Sequence, residues 1–255
     1  MADKQTLPVV RGEKPYRKGN RKLLFLLFLF FLALLGVLFF QSSFSKINRI
    51  EVTGVRLLSE QQVLQASGVS VGDHFFAVGG KELEERIKQL EAVDTVEVSK
   101  RFPGRVHFQI QEYGVVALEL DDSGGLSGLL SNGHAIPYDK TDQASPRPLL
   151  TGWDNPELKA ALCQALSRIS LEHLQDVSEI RPDPSESYED RIMMYTRSRY
   201  EVITRISYLA DKISLLDDYV HEMQSGGKET GRIVLLETDY GEAFETDFLE
   251  TEIEE

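Results

Sequence analysis

The chain has 255 residues, of which 42% are hydrophobic, and a formal net charge of −13. Its first 22 residues carry seven basic and two acidic side chains, which leaves −18 for the rest. So acidic a chain is not expected to bind nucleic acid, whose phosphates require Lys and Arg, or to bind anionic lipid headgroups tightly. The single cysteine, Cys163, excludes an internal disulfide, and its apolar neighbours at helical spacing predict a buried core residue.

An uninterrupted apolar run near the N-terminus predicts a membrane anchor. Residues 23–40 contain no charged or hydrogen-bonding side chain. As a helix they would be about 27 Å long, close to the thickness of the hydrocarbon core of a bilayer. The basic tail, residues 1–22, is expected to stay in the cytoplasm and everything after the run to lie outside. A cleaved signal peptide is the alternative, although the run is long for one and Ser43-x-Ser45 matches a cleavage site poorly.

A first extracytoplasmic unit is predicted over residues 46–114, in the order strand, helix, helix, strand, strand. Ser59 and Gln62 have the spacing of a capping box at the start of the first helix, and Gly68 is a natural end for it. The pattern predicts an α+β unit with both helices on one face of the sheet. Seven apolar residues are expected in its core: Ile50, Val52, Leu64, Leu83, Ile87, Val96 and Ile110.

A second unit, a mixed α/β domain with a largely antiparallel sheet, is predicted over residues 115–238. Asn132-Gly133 between apolar residues predicts a hairpin, and Pro156 the start of a helix. Apolar residues at alternating three and four spacing predict one long helix from residue 206 to 223. From residue 239 to 255 there are eight acidic residues and no basic one, which predicts a disordered acidic tail.

No catalytic constellation is evident in the sequence. There is no GxSxG, Ser-x-x-Lys, Walker or CxxC motif. None of the five histidines is paired at the spacing of a helical metal site, and surface positions are expected for His74, His107, His134, His173 and His221. We therefore expect a binding protein without cofactor or metal, and not an enzyme.

Three segments behind the single anchor resemble the DivIB and FtsQ family of bacterial cell-division proteins. Residues 47–54, with the helices and strands that follow, look like the POTRA module that adjoins the membrane in this family. Residues 148–153 are similar to a turn in the family's second domain, and residues 177–180, 192–197 and 200–202 are similar to other parts of that domain. The order and spacing of these segments carry the resemblance more than any one of them does.

The resemblance implies a bitopic scaffold of the division septum, with a cytoplasmic N-terminus and an extracytoplasmic C-terminus. Such proteins bind the single-pass proteins FtsL and DivIC, or FtsB in Gram-negative bacteria. Together they help regulate septal peptidoglycan synthesis by FtsW and a penicillin-binding protein. No cofactor is implied. The alternatives are a POTRA-bearing secretion or transport component and a membrane-anchored cell-wall hydrolase.

Two departures from the family pattern predict local differences. Ser198-Arg199 stands where family members commonly have Asp-Gly, and neither residue favours positive φ, so a two-residue type I′ turn is not expected. Tyr113-Gly114 replaces a common Arg-Pro, which predicts a less rigid link between the two units.

The final strand, residues 231–238, is the candidate partner-binding site. The acidic tail after it has no evident pattern for pairing, so the strand is expected to form a sheet edge that a partner extends. The resemblance points to the same C-terminal region of the second domain. The alternative is a central strand that is already paired on both sides. The candidate residues are Arg232, Ile233, Val234, Leu235, Leu236 and Glu237.

Overall fold

A computed structural model describes residues 20–120, 124–138 and 147–244 of the chain. The predicted anchor forms helix α1 (Arg21–Gln41), whose mean hydropathy is 3.1 and whose residues are all unburied by the rest of the protein. By length and composition this helix can cross a membrane. Most of the predicted basic tail lies outside the described residues.

A short 3-10 turn, Ser43–Ser45, ties the end of α1 to the first unit. The buried Ser45 hydroxyl lies 2.7 Å from the carbonyl oxygen of Phe40 and 2.9 Å from that of Ser42, and it donates to this pair. Carbonyl groups near the end of the helix thereby gain partners that the helix itself does not supply.

The first unit has the predicted order of elements. Its three-stranded sheet runs β1-β3-β2, with β1 parallel to β3 and β2 antiparallel to it. The predicted capping box forms at Ser59 and Gln62, and Gly68 ends its helix at φ 67. The elements are β1 (Arg49–Thr53), α2 (Glu60–Ser67), α3 (Gly80–Ile87), β2 (Val93–Arg101) and β3 (Arg105–Glu112).

The core of this unit is centred on β3, the middle strand of its sheet. Val106 and Phe108 on that strand are fully buried, although neither was in the predicted core set. Of that set, the structure buries Leu83, Ile87 and Ile110. The other four pack against the core but remain half-buried. Ile50, Val52 and Val96 lie on edge strands, and Leu64 lies beside the buried face of α2.

The second unit contains one nine-stranded sheet in the order β12-β11-β10-β9-β8-β7-β4-β5-β6. Five of its eight neighbouring pairs are antiparallel, which confirms the predicted character of the sheet. Its strands are β4 (Val115–Leu120), β5 (Leu126–Leu130), β6 (Ala135–Pro137), β7 (Leu149–Leu150), β8 (Val177–Pro182), β9 (Arg191–Thr196), β10 (Tyr200–Arg205), β11 (Gly231–Leu235) and β12 (Asp239–Ala243).

Three helices pack on this sheet through one continuous apolar cluster. Asn155 caps the first of them, α4 (Pro156–Leu166), as the proline at its first position predicts. The predicted long helix is instead α5 (Ile206–Lys212) and α6 (Leu216–Ser225), separated by a 3-10 turn over Ile213–Leu215. Both helices pack their apolar residues against this cluster, as the spacing of those residues predicts. The prediction of one continuous helix is wrong, because the 3-10 turn interrupts it.

Two predicted turns can be compared with the structure. The Asn132-Gly133 hairpin forms, with Gly133 at φ 87 between β5 and β6. Between β9 and β10 the connection has three residues and is closed by a 3.2 Å bond from the Arg199 N–H to the Thr196 carbonyl. Arg199 takes φ 73 there, so the extra loop residue replaces the disfavoured two-residue turn.

Backbone contacts join the two units at the Tyr113-Gly114 link. The Tyr113 N–H lies 2.9 Å from the Ala92 carbonyl oxygen, and the Ser131 N–H lies 2.9 Å from that of Gly114. The amide of Asn132 adds a bond of 2.9 Å to the Glu91 carbonyl. These bonds tie the link to both sheets, while its predicted flexibility stays a prediction.

Candidate partner-binding edge of the second unit

The predicted site strand is a central strand, which corrects the expectation of a free edge. β11 pairs with β10 on one side and with β12 on the other. Ile233, Val234 and Leu235 are at most 6% exposed. The acidic composition of residues 239–243 predicts a disordered tail, whereas these residues fold back and pair with β11 as β12. The pairing places Glu242 opposite Arg232, and such opposite charges favour a strand pair.

Arg232 is held in place by Glu201 on β10 and by Phe244, the residue after β12. Its guanidinium lies 2.9 Å from the Glu201 carboxylate and 5.7 Å from the centre of the Phe244 ring. The hydrogen bond with Glu201 raises the pKa of Arg232, so the side chain stays charged. Arg232 therefore positions the edge and is not itself free for a partner.

The last two candidate residues form the connection between β11 and β12. The Leu236 carbonyl accepts a hydrogen bond from Lys212 on α5, and the same ammonium lies 2.6 Å from Asp239. The Glu237 carboxylate accepts a 3.1 Å hydrogen bond from the Tyr208 hydroxyl. A backbone hydrogen bond, with help from nearby tyrosine hydroxyls and Arg205, holds the pKa of Glu237 below its ordinary value. The connection is thus anchored to α5.

The open edge of the sheet at this end is β12. Within the described residues it has one neighbouring strand, β11. Tyr240 is 47% exposed, and Glu242 and Ala243 are exposed as well. The opposite edge, β6, has only three residues and ends in Pro137, which cannot donate a backbone hydrogen bond. β12 is therefore the better template for strand addition.

A groove of about 500 Å³ runs between α6 and β12, beside the open edge. A side chain at Gly241 would come within 3.1 Å of the Met223 sulfur, so this glycine lets the strand approach the helix. Methionine adapts its shape to different contacts, which suits a surface that receives a partner's side chain. The lining residues are Tyr219, Glu222, Met223, Gly226, Lys228, Tyr240 and Gly241.

Sequence reasoning missed β12 and the groove because the acidic composition of the segment masked a short strand. Two signals could have found it. Tyr240 and Gly241 interrupt the acidic run with a strand-forming residue and a residue that permits close approach. Arg232 and Glu242 also offer a complementary cross-strand pair. The rest of the predicted tail, residues 245–255, lies outside the described residues.

The other candidate reactive groups have structural positions. Cys163 is fully buried, and burial raises the pKa of its thiol to about 11, so it stays protonated at neutral pH. His107 shares a 2.9 Å hydrogen bond with the Thr53 hydroxyl. In the part of the chain that the structure describes, no three potential metal-ligating side chains come together.

Comparison with known proteins identifies both the first unit and the whole chain. Residues 45–113 match the family profile of the POTRA domain, FtsQ-type. The chain is 39% identical over 243 residues to cell division protein DivIB of Paenibacillus polymyxa (strain E681), covering 94% of this chain and 93% of the relative. It is 30% identical over 243 residues to cell division protein DivIB of Bacillus subtilis (strain 168), covering 94% and 90%.

One solved structure is also similar to part of the chain. It is the major extracytoplasmic domain of the trans isomer of the bacterial cell division protein DivIB from Geobacillus stearothermophilus, with a TM-score of 0.35 and 30% identity over 41% of this chain and 87% of that one. The relatives in the previous paragraph, which match over nearly their whole length, carry the assignment. The chain belongs to the DivIB family of cell division proteins and acts in cell division.

Proposed function

We propose that the chain is a bitopic scaffold at the division septum, with α1 across the membrane and both folded units outside. Five basic residues within residues 1–19, followed by Arg21 and Lys22, support a cytoplasmic N-terminus. This orientation puts both units on the side of the membrane where the cell wall is assembled.

The proposed partners are FtsL and a DivIC- or FtsB-type protein, as the family resemblance implies. Through them the chain would help regulate septal peptidoglycan synthesis by FtsW and its penicillin-binding protein. The proposed contribution is binding and not catalysis, since the observed edge and groove are suited to holding a polypeptide.

The open edge of β12 is the single observation that carries the binding proposal. A partner segment that adds as a strand gains backbone hydrogen bonds from this edge, and its alternate side chains can enter the groove beside α6. Residues 232–237, which the sequence predicts as the binding segment, support the edge strand and do not form the edge themselves. Buried Ile233 and Leu235 and the anchored Arg232 hold β11, which in turn holds β12 in register.

Two proline substitutions on β12 test strand addition in the full-length protein. Backbone N–H groups point alternately to the two sides of a strand, so Tyr240→Pro and Ala243→Pro, three residues apart, remove donors on opposite sides of β12. One variant loses a bond to β11 and melts at a lower temperature. The other loses only an outward donor, melts like the wild type, and should capture the FtsL–DivIC pair severalfold less well in a pull-down.

Glu97→Pro on β2 is the comparison in the first unit and should leave capture unchanged. Its N–H faces β3, because the neighbouring Val98 N–H is bonded to Glu84 on the other side, so the substitution disturbs the first unit and not β12. Val234→Pro is not informative about an edge, because it disrupts a strand that is paired on both sides. Undiminished capture by the β12 variant that keeps wild-type melting would overturn strand addition at this edge. Loss of capture with Glu97→Pro alone would move the site to the first unit.

A further inference from the structure

Three arginines lie side by side across the sheet of the first unit. Arg105 on the central strand β3 lies opposite Arg49 on β1 and opposite Arg101 on β2. All three are exposed, on strands about 4.8 Å apart. Like charges directly opposite each other destabilise a sheet. A row of this kind is therefore unfavourable unless an anion lies against it.

Acidic groups of the protein neutralise this row only in part. The Glu51 carboxylate lies 2.7 Å from the Nε atom of Arg49. Within the described residues, Arg101 and Arg105 have no carboxylate at ion-pair distance. The row borders a shallow concavity of about 300 Å³ that also includes Ser99 and His107. Guanidinium groups bind phosphate oxygens in two-pronged geometry, so phosphate is the anion that this row suits best.

Exposed aromatic rings flank the same end of the sheet. Phe76 and Phe102 are 55% and 57% exposed, and their ring centres are 6.3 Å apart. Each ring also contacts Phe39 in the last turn of α1, at 6.3 Å for Phe76 and 6.5 Å for Phe102. When α1 spans a bilayer, these two rings are therefore at nearly the same depth as Phe39, at the boundary between acyl chains and headgroups.

The segments that carry these rings are fixed to the sheet. Lys100 donates hydrogen bonds to the carbonyls of Phe75 and Val78, and its ammonium lies 4.6 Å from the centre of the buried Phe75 ring. Asn48 holds the turn after Phe102 through a 3.1 Å bond from its amide to the Pro103 carbonyl. Little ordering is thus needed when the rings enter a membrane surface.

We propose that this end of the first unit docks on the outer leaflet, with Phe76 and Phe102 inserted at the interface and the arginine row on the phosphates of anionic phospholipids. The inference rests on the proposed membrane-spanning role of α1. It assigns a local lipid contact to a protein whose overall acidic charge argues against one. Apolar insertion combined with basic residues is the usual basis of interfacial binding. Docking would limit the tilt of the first unit and so set the height of the second unit above the membrane.

Environment-sensitive probes on the full-length protein test the insertion. Phe76→Cys and Phe102→Cys are each labelled after reconstitution into vesicles that contain a shallow, spin-labelled phospholipid as quencher. Thr95→Cys is the matched control, because it is exposed on the same strand as Arg101 but about 20 Å away at the opposite end. Buried Cys163 should not react, and unsubstituted protein verifies this. We expect the probes at positions 76 and 102 to be quenched severalfold more than the probe at 95.

Charge specificity is tested by comparing vesicles of phosphatidylcholine with vesicles that also contain phosphatidylglycerol. Quenching at position 76 should increase with phosphatidylglycerol, and the double substitution Arg101→Gln with Arg105→Gln should abolish that increase. Arg56→Gln, exposed at the far end of the first unit, is the matched control and should retain it.

An alkaline wash separates failure of docking from failure of the proposed anchor. Protein that stays in the vesicles but shows equal quenching at positions 76, 102 and 95 would overturn docking and leave the anchor intact. Protein that is washed out would overturn both. Strong quenching that does not depend on phosphatidylglycerol or on the arginines would support the aromatic contact and overturn the phosphate site.

Discussion

The two folded units of this protein use ion pairs differently. In the first unit, the Arg49–Glu51 and Arg86–Glu82 pairs are exposed, with every partner side chain at least 38% accessible. In the second unit, the Arg205–Asp190, Lys212–Asp239 and Lys159–Glu119 pairs are largely covered, with no partner more than 24% accessible. Exposed pairs contribute little to stability, whereas covered ones with hydrogen bonds contribute more. The first unit therefore depends mainly on its small apolar core, and the second also depends on charge.

One covered pair of the second unit belongs to a cluster centred on Arg205 of β10. Its guanidinium lies 2.8 Å from Asp190, and the Tyr188 and Tyr208 rings are 4.6 and 4.9 Å away. Tyr208 also reaches Glu237 in the connection to β12. Charge within this unit thus helps hold the end of the sheet where the proposed partner edge lies.

The largest expected effect comes from breaking the apolar core of the first unit. Ile87 on α3 is 0% exposed, so Ile87→Asp would bury an unpaired charge and should cost about 4 kcal/mol or more. The first unit should unfold while the second remains folded. Circular dichroism follows the loss, and the fluorescence of Trp153 reports on the second unit, because this only tryptophan of the chain lies in its core.

Gln89→Asp, two residues along and exposed, is the matched control for this change and should melt like the wild type. Wild-type melting of Ile87→Asp would show that the core is placed wrongly. Simultaneous loss of the Trp153 signal would show that the two units unfold together. Their different use of ion pairs would then not give them separate stabilities.

An intermediate effect is expected from acid, and it should fall on the second unit. Burial acts to raise the pKa of Asp190, but hydrogen bonds from Arg205 and Ser207 outweigh it, and the pKa lies below its ordinary value of 3.8. A lowered folded-state pKa contributes stability that is complete above the unfolded value and is lost as pH falls through the folded one. Asp190→Asn should therefore cost about 2 kcal/mol near neutral pH and flatten the decline of stability below about pH 4.

Trp153-monitored melting across this pH range measures the acid effect. Glu51→Gln, which alters an exposed pair of the first unit, is the control. Circular dichroism, which also follows the first unit, should show no measurable change in its stability or pH dependence. If the stability of Asp190→Asn declines as steeply with falling pH as that of the wild type, the charge network does not distinguish the second unit from the first.

The smallest expected effect is a gain in stability at the β9–β10 turn. Arg199 has φ 73, a conformation that costs a non-glycine residue roughly 1 kcal/mol. Its ion pair with Glu229 is 67% and 77% exposed and contributes little. Arg199→Gly should therefore stabilise the second unit by about 0.5 to 1 kcal/mol in denaturant unfolding, after some offset from added freedom in the unfolded chain.

Ser198→Gly is the matched control for the turn and should destabilise the unit. Ser198 does not have positive φ, and its backbone N–H bonds the Asp176 carboxylate at 2.9 Å. Its hydroxyl donates to the same carboxylate and would be lost with the side chain. A loss of stability in Arg199→Gly would mean that the side chain contributes more than its exposed position indicates.

Local patterns in the sequence determined the anchor, the order of elements and most turns. The apolar run, the capping box at Ser59 and the hairpin at Asn132-Gly133 all act within a few residues, so their physics is contained in the chain segment itself. The same is true of the burial of Cys163, which follows from its place on the apolar face of a helix. These features could be predicted because each is decided by its immediate neighbours.

The tertiary structure alone decided which strands are edges. β3 lies between β1 and β2, and β11 lies between β10 and β12, although both are the last strands that the sequence made evident in their units. Strand order depends on pairing between distant segments, and Arg232 and Glu242 come to lie opposite each other only once the sheet exists. The arginine row has the same origin, because Arg49, Arg101 and Arg105 become neighbours only through the register of three strands.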